Sequence, residues 1–177
     1  MANYVYIATS LDGFIATCDG AIGWLDEIPN PEQSDFGYGK FMARVDAIVM
    51  GRNTFEKVLT FGFWPYEKPV FVLSNRLKSV PENLVGHVEI IADRQVNSLV
   101  AYLQGRGYEH LYIDGGQTIQ NFLSEDMIDG MIITRVPIVL GEGIPLFGNL
   151  ANRLHFQHEK TDVFTNGLVK SSYVRVR

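Results

Sequence analysis

The sequence predicts an α/β fold in which a mixed, mainly parallel sheet carries helices on both faces and ends in an antiparallel hairpin. Short apolar runs alternate with helical patterns from residue 5 to residue 123, as is typical of parallel strands joined by helices. The later segments have the character of strands alone, which indicates a mixed sheet. No repeat, linker or low-complexity tract divides the 177 residues, so we expect a single domain over residues 1–177.

Apolar spacing and turn residues predict the individual elements. Runs of apolar or β-branched residues predict buried strands at residues 5–8, 47–50, 70–73, 88–91 and 111–113. Apolar residues at helical spacing predict helices at residues 35–45, 97–104 and 117–123, and helix formers follow Thr54. Further strands are expected at residues 131–140, 154–164 and 168–177, with Asn166-Gly167 as the hairpin turn between the last two. Pro137 predicts an edge or a bulge in the first of these.

Composition excludes several classes of partner. The net charge of -5 and the pI near 5.3 give no general attraction for nucleic acid or an anionic membrane surface, so neither partner is expected. The single cysteine, Cys18, excludes an internal disulfide and suits a reducing cytoplasm. An export signal and a membrane-spanning segment are not expected from the hydropathy of the chain. His155 and His158 would face opposite sides of a strand, so no metal is expected.

The junction after residues 47–50 has the chemistry of a phosphate site. Gly51, Arg52 and Asn53 stand where a buried strand changes into a helix that includes Thr54. Ligands of α/β sheets bind at such carboxyl ends, where the first amides of a helix are unpaired and the helix dipole is positive. Glycine would let a ligand approach the backbone, and arginine would add charge. The alternative is that Gly51 only turns the chain and Asn53 caps the helix.

Two other strand ends have similar chemistry. Ser74, Asn75, Arg76 and Lys78 follow residues 70–73, and the pair Gly115-Gly116 follows residues 111–113. A ligand with several phosphates, such as a dinucleotide, would use all three junctions. The G-x-G-x-x-G, G-x-x-x-x-G-K-[ST] and G-x-S-x-G motifs are absent, which disfavours an ordinary Rossmann dehydrogenase, a P-loop protein and a serine hydrolase.

Six segments, in this order, resemble the dihydrofolate reductase fold family: IATSLDGFIA, WL, VMGRNTFE, FVLSNR, YIDGGQTIQNFL and VLGEGIPLF. The resemblance covers nearly the whole chain and is closest to the branch of the bacterial riboflavin-biosynthesis reductase domain and its stand-alone relatives. It implies a three-layer dihydrofolate reductase-like fold, with a mixed, mainly parallel sheet of about eight strands. It also implies an NADPH cofactor across the strand ends, a small-molecule substrate and a homodimer.

The resemblance assigns residues to the cofactor, group by group. The phosphates would be held by Gly51, Arg52, Asn53 and Thr54. The adenosine 2′-phosphate would be held by Ser74, Asn75 and Arg76, which favours NADPH because NADH lacks this phosphate. Gly115 and Gly116 would form a cis peptide bond beside the pyrophosphate, with the following amides contributed by Gln117, Thr118 and Ile119. The nicotinamide would be lined by Ala8 and Ile15, and residues 12–24 would form a mobile loop closing over it.

The resemblance also points to two catalytic residues. Asp35 and Thr134 stand where dihydrofolate reductases of the bacterial type place a substrate-binding carboxylate and the threonine that hydrogen-bonds to it. A buried Asp35 would have a raised pKa and act as a proton donor or as an orienting acceptor. The alternative is that Asp35 caps its helix as an exposed acid.

Two departures from true dihydrofolate reductase disfavour folate. Gly39 replaces an aromatic ring that stacks on folate, and Lys68 replaces an arginine whose fork a lysine cannot reproduce. We therefore expect NADPH-dependent reduction of another small heterocyclic or ribosylated substrate, such as one resembling 5-amino-6-(5-phosphoribosylamino)uracil. The zinc deaminase domain that accompanies that reductase is not expected here, because one cysteine cannot supply its signature. The alternatives are a nucleotide-binding module without turnover and a weak dihydrofolate reductase.

Overall fold

Ten strands and four α-helices form across residues 2–92 and 95–177, which the computed structural model describes. The strands are β1 Ala2–Thr9, β2 Phe14–Ala16, β3 Ala47–Gly51, β4 Val70–Leu73, β5 Val88–Ile91, β6 His110–Asp114, β7 Gly130–Arg135, β8 Ile144–Pro145, β9 His155–Val163 and β10 Val169–Val176. The helices are α1 Tyr38–Met42, α2 Arg52–Leu59, α3 Val96–Gln104 and α4 Gly116–Ser124, with 3-10 turns at Gly23–Glu27 and Glu82–Leu84. No helix in the described ranges is long and apolar enough to span a membrane.

Eight of the strands make one sheet, in the order β5-β4-β3-β6-β1-β7-β10-β9. The pairs among β1 and β3 to β7 are parallel, whereas β10 runs antiparallel to both β7 and β9. The mixed, mainly parallel sheet with an antiparallel hairpin is therefore confirmed. β1, from the N-terminus, lies inside the sheet between β6 and β7.

Helices cover both faces of the sheet because each strand of its parallel part is apolar on both sides. On one face, Val49 and Ile113 pack with Leu103 of α3 and Phe122 of α4. On the other, Ile48 and Tyr112 pack with Phe41 of α1 and Phe55 of α2. Burial of such side chains contributes about 1.5–3 kcal/mol each, which makes these layers the main source of stability.

Three features of the secondary structure differ from the predictions. β7 ends at Arg135, so Pro137 lies beyond the strand and the expected edge or bulge within it is wrong. The helix expected at residues 35–45 is limited to Tyr38–Met42, because Phe36 and Gly37 have positive φ angles of 51° and 88° that a right-handed helix does not accept. The short strands β2 and β8, which pair with each other as a separate two-stranded sheet, were not predicted.

The outer strand β9 is interrupted by a bulge. Lys160 pairs with Ser172 and His158 pairs with Tyr173, which leaves Glu159 without a partner on β10. A bulge and exposed charges are devices that keep an edge strand from pairing with another molecule.

Candidate active site

The three phosphate-friendly junctions lie side by side at one edge of the sheet. β3 is placed between β4 and β6. Gly51 pairs with Leu73, and Met50 pairs with Asp114, so the three strands end at the same level. The chain therefore brings together residues 51–54, 74–76 and 115–118, which we name the strand-end cradle.

The helices that begin at the cradle pack tightly against each other at their first turns. A Cβ atom at Gly51 would lie 3.2 Å from Thr118 Oγ1, and one at Gly115 would overlap Thr54 Oγ1. Each helix thus places a threonine against the glycine that precedes the other helix. The two positive helix ends and their first amides are directed to one region, which is the arrangement that binds phosphate groups.

The backbone at the glycine pair differs from the expectation. No peptide bond among the described residues is cis, so the cis bond expected between Gly115 and Gly116 is wrong. Gly115 turns the chain instead through φ 88° and ψ 138°, a conformation open to glycine. The amide of Ile119 donates to the Gly115 carbonyl at 2.9 Å and its side chain is fully buried, so its contact with a cofactor stays a prediction.

The turn after β4 is shaped by Ser74. Its Oγ accepts hydrogen bonds from the Arg76 amide at 3.0 Å and the Leu77 amide at 2.9 Å, and the residue is buried. Asn75 and Arg76 are exposed beyond it. Ser74 therefore holds the turn that presents Arg76, rather than offering a free acceptor to a ligand.

Arg52 is the second cation of the cradle, and it carries a partner of its own. Its Nη1 lies 2.8 Å from both carboxylate oxygens of Glu56, one helical turn further along α2. This ion pair is partly exposed, so it is weak enough to open for a stronger anion. Thr54 is half-buried and Asn53 is exposed at the same helix end.

The mobility expected of residues 12–24 stays a prediction, and the first part of this segment, residues 12–16, contacts the body of the protein. β2 pairs with β8, and the Leu146 amide donates to the Gly13 carbonyl at 3.0 Å. Asp12 accepts hydrogen bonds from Ser10 Oγ at 2.6 Å and the Gly141 amide at 2.7 Å. A Cβ atom at Gly116 would lie 2.9 Å from Ile15 Cδ1, so the side chain of Ile15 lies against Gly116. The segment thus packs beside the cradle.

A cavity of about 510 Å³ lies near the carboxyl ends of β1 and β7, and β1 is the sheet neighbour of β6, whose end leads into the cradle. Its polar lining residues are Tyr6, Asp26, Asn30, Asp35, Tyr38 and Thr134. Its apolar lining residues are Ala8, Leu25, Ile28, Phe36, Val136 and Leu168. Ala8 pairs with Thr134 across β1 and β7, so both belong to its wall. Among the described residues, no His, Cys, Asp and Glu side chains gather in a group that could hold a metal ion.

Asp35 is placed in this cavity, but its environment is not the expected one. It is exposed, and its carboxylate accepts hydrogen bonds from the Gly37 amide at 2.8 Å and the Gly39 amide at 2.9 Å. The amides of Gly39 and Gly37, assisted by nearby Lys170, hold the pKa of Asp35 below its ordinary value. The raised pKa expected for Asp35 is therefore wrong, because helix-end amides stabilise its charge. A Cβ atom at position 39 would lie 3.0 Å from Asp35 Oδ2, which explains the glycine there.

Thr134 does not meet Asp35 directly. It is buried in the cavity wall, and no hydrogen bond joins the two side chains in the part of the chain that the structure describes. The phenols close to them are kept neutral. Burial, with a smaller contribution from Asp35, raises the pKa of Tyr6 to about 12, and burial raises the pKa of Tyr38.

The turn at Phe36 is held from two sides. The Phe36 carbonyl accepts hydrogen bonds from Tyr6 Oη at 3.1 Å and from Lys170 Nζ at 2.5 Å. These contacts stabilise a non-glycine residue at φ 51°, a conformation that costs of order 1–3 kcal/mol. They also fix the position of Asp35, the preceding residue.

Asp114 is a site residue that the sequence predictions missed. It ends β6 beside the glycine pair, and its Oδ1 accepts a hydrogen bond from the Gly115 amide at 2.9 Å. Burial raises the pKa of this carboxyl to about 6, against a smaller opposing effect of Gly115 and Tyr112. Its charge in turn acts on Tyr38, Tyr66 and Tyr112. The only signal in the sequence was an acid at the end of a buried strand, next to glycines.

The model of the RibD C-terminal domain family matches residues 4–170 of the chain. A crystal structure from Shewanella sp. PV-4, of a protein provisionally described as belonging to riboflavin biosynthesis, has 50% sequence identity, 100% coverage of both chains and a TM-score of 0.95.

Two more distant structures share the fold. The diaminohydroxyphosphoribosylaminopyrimidine deaminase/5-amino-6-(5-phosphoribosylamino)uracil reductase of Thermotoga maritima is 18% identical with a TM-score of 0.72, over 99% of this chain and 56% of that one. A dihydrofolate reductase from Enterococcus faecalis, solved with NADP(H) and RAB-propyl, is 18% identical with a TM-score of 0.66, over 99% of this chain and 97% of that one. They confirm the dihydrofolate reductase-like fold predicted from the sequence.

Proposed function

Because the chain belongs to the RibD C-terminal domain family, we propose that it is an NADPH-dependent reductase of a small heterocyclic or ribosylated substrate, related to the reductases of the riboflavin pathway. One observation carries the proposal. The first turns of α2 and α4 pack on each other through Thr54 and Gly115, next to the turn that presents Arg76. Phosphate-binding chemistry from three loops is thereby concentrated beside a cavity of substrate size.

The residues of the cradle fit a dinucleotide phosphate. Gly115 lacks the Cβ atom that would overlap Thr54 Oγ1, so the first turns of α2 and α4 can lie together and present their amides to one ligand. Arg52 and Arg76 supply the positive charge, and Ser74 fixes the turn that carries Arg76. An arginine beside the adenosine ribose would distinguish NADPH from NADH, since only NADPH carries a 2′-phosphate there.

The cavity residues are suited to hold the acceptor. NADPH, when bound, supplies a hydride to the ring held in the cavity. Asp35 is ionised at neutral pH, so we assign it the orienting role of accepting hydrogen bonds from the substrate, not that of a proton donor. Thr134 is paired with Ala8 in the same wall, and we assign it a hydrogen bond to the same substrate. The packed segment at residues 12–24 would exclude water from this side.

Hydride transfer is the direct test of this proposal. Purified protein is expected to bind NADPH in calorimetry and to transfer deuterium from one stereospecifically labelled face of the nicotinamide to a ribosylamino-pyrimidine. Binding without transfer to any substrate of a broad pyrimidine and pteridine panel would instead favour a nucleotide-binding module. Absence of NADPH binding would overturn the proposal.

Replacing Arg76 by alanine is expected to weaken NADPH binding by about 10- to 100-fold and to leave NADH binding unchanged. The reason is that a hydrogen bond to a charged group contributes about 1.5–3 kcal/mol, and only NADPH has the phosphate that would receive it. Titration calorimetry with both cofactors measures the two affinities. Arg44→Ala is the matched control, because Arg44 precedes β3 and stacks on Tyr4 at the opposite edge of the sheet. Equal losses for both cofactors would contradict the assignment of Arg76.

Replacing Glu56 by glutamine is expected to strengthen NADPH binding about two- to fivefold. Glu56 pairs with Arg52 in the free protein, and a phosphate has to compete with that exposed ion pair, which is worth about 0.2–1 kcal/mol. The gain should shrink at high salt, where the pair is screened. An unchanged affinity at low salt would show that Arg52 does not meet the cofactor.

The homodimer and the cytoplasmic location predicted from the sequence stay predictions. Sedimentation analysis of the purified protein checks the first.

A further inference from the structure

We propose that the substrate of this site is a planar heterocycle, neutral or positively charged, that carries no phosphate group. The proposal rests on the reductase function proposed above and narrows its substrate class. It separates this chain from a reductase of phosphoribosylated pyrimidines.

The charged groups of the cavity wall are all acidic. Among the described residues that line it, Asp26 and Asp35 are exposed carboxylic acids, and none is a lysine, arginine or histidine. Asp35 is held in its charged form by the amides of Gly37 and Gly39. A phosphate dianion in this cavity would be repelled by both acids, and it would find no cation in the wall to offset that repulsion.

Lys170 lies beside the wall, but its ammonium group is already engaged. The residue pairs with Thr134 across β7 and β10, and its side chain is only 14% exposed. Its Nζ donates to the Phe36 carbonyl at 2.5 Å and lies 3.5 Å from Asp162 Oδ2. Moving Lys170 to a phosphate would abandon both partners and release the Phe36 turn that positions Asp35. Lys170 therefore supports the wall and is not a phosphate ligand.

The uncharged part of the wall suits a flat ring. Tyr6, Phe36 and Tyr38 supply aromatic surface, and Asn30 and Thr134 supply hydrogen-bonding groups. The volume of about 510 Å³ lies in the range of small-molecule sites. An N–H edge of a heterocycle is the natural partner of an ionised carboxylate such as Asp35.

Positive charge is instead placed in the cradle. Arg52 and Arg76 stand at the ends of β3 and β4, where the first amides of α2 also lie. The site thus has one region for phosphates and a separate region that opposes them. This division is expected when the phosphates belong to the cofactor and the reduced ring brings none.

A charge series of small ligands tests the proposal without the cofactor. 2,4-Diaminopyrimidine, uracil and orotate have rings of similar size but carry positive, zero and negative charge at slightly acidic pH. Uridine and uridine 5′-monophosphate differ only by a phosphate. Binding is read from the methyl resonances of Ala8, Thr134 and Leu168, which line the cavity, so a phosphate held in the cradle is not counted. We expect affinity to fall at least tenfold from diaminopyrimidine to orotate and from uridine to its monophosphate.

Two variants connect the series to the acidic wall. Asp35→Asn keeps an oxygen acceptor for the Gly37 amide but removes the charge, so it should weaken diaminopyrimidine binding and narrow the gap between uridine and its monophosphate. Glu82→Gln, in the turn before β5, should leave both unchanged. Tighter or equal binding of orotate or of uridine 5′-monophosphate would overturn the proposal. So would the absence of cavity shifts with all five ligands at millimolar concentration. Failure of NADPH to bind would overturn the reductase function but would not alter this series.

Discussion

Replacing Gly115 by alanine is expected to lower the free energy of unfolding by about 3 kcal/mol or more. Gly115 has φ 88° and ψ 138°, a conformation that costs other residues about 1–3 kcal/mol. The added Cβ atom would also overlap Thr54 Oγ1 on the first turn of α2. The two helix ends would have to separate, so the loss should appear in urea unfolding as a lower midpoint and in calorimetry as weaker NADPH binding.

Two further variants divide this loss into its causes. Gly107 has a similar φ of 89°, but a Cβ atom there would meet nothing within 4 Å. Gly107→Ala therefore measures the backbone cost alone, about 1–2 kcal/mol. Adding Thr54→Ala to Gly115→Ala removes the overlapping hydroxyl and should recover the difference between the two single glycine variants. Equal losses at positions 107 and 115 would show that α2 and α4 do not begin in contact.

Replacing Asp114 by asparagine is expected to change how stability depends on pH. Burial raises the pKa of Asp114 from 3.8 to about 6. Between these values the native protein keeps a proton that the unfolded chain has lost, so the wild-type free energy of unfolding falls as the pH rises. The total effect is about 3 kcal/mol, and asparagine, which does not ionise, avoids it. Relative to that of the wild type, the free energy of unfolding of Asp114→Asn should rise by about 2–3 kcal/mol as the pH increases from 4 to 8.

Urea unfolding at a series of pH values measures this difference, and a second carboxylate supplies a control of opposite sign. The hydrogen bond and charge of Arg175 lower the pKa of Asp126. Asp126→Asn should therefore be less stable than the wild type at neutral pH, and the gap should close as the pH falls below 3.8. If Asp114→Asn and the wild type showed parallel pH profiles, the carboxyl would not be buried as described.

The parallel half of the fold could be predicted from the sequence because its strands are buried on both faces. β4 and β5 match the apolar runs at residues 70–73 and 88–91, and α3 and α4 match the helical spacing to within one residue at each end. In these segments local pattern and tertiary burial agree, so spacing alone is sufficient. The convergence of the junctions also followed, since parallel strands end at one edge.

The remaining features depend on contacts that spacing does not reveal. β2 and β8 have three and two residues, too few to show alternation, and exist only through pairing with each other. The lowered pKa of Asp35 arises from a turn in which Phe36 adopts a positive φ, which the identity of a phenylalanine does not predict. Asp114 was missed because an acid at a strand end is usually solvated, and only its burial in the folded protein raises its pKa.

The central position of β1 has a consequence for synthesis on the ribosome. This strand leaves the ribosome before its partners, because it pairs with β6 and β7, which follow roughly 100 residues later. At about 5–20 residues per second, its apolar side chains wait roughly 5–20 s before a partner leaves the exit tunnel. Nascent chains stalled before residue 110 should therefore be the ones that chaperones bind, and those released after β7 should not.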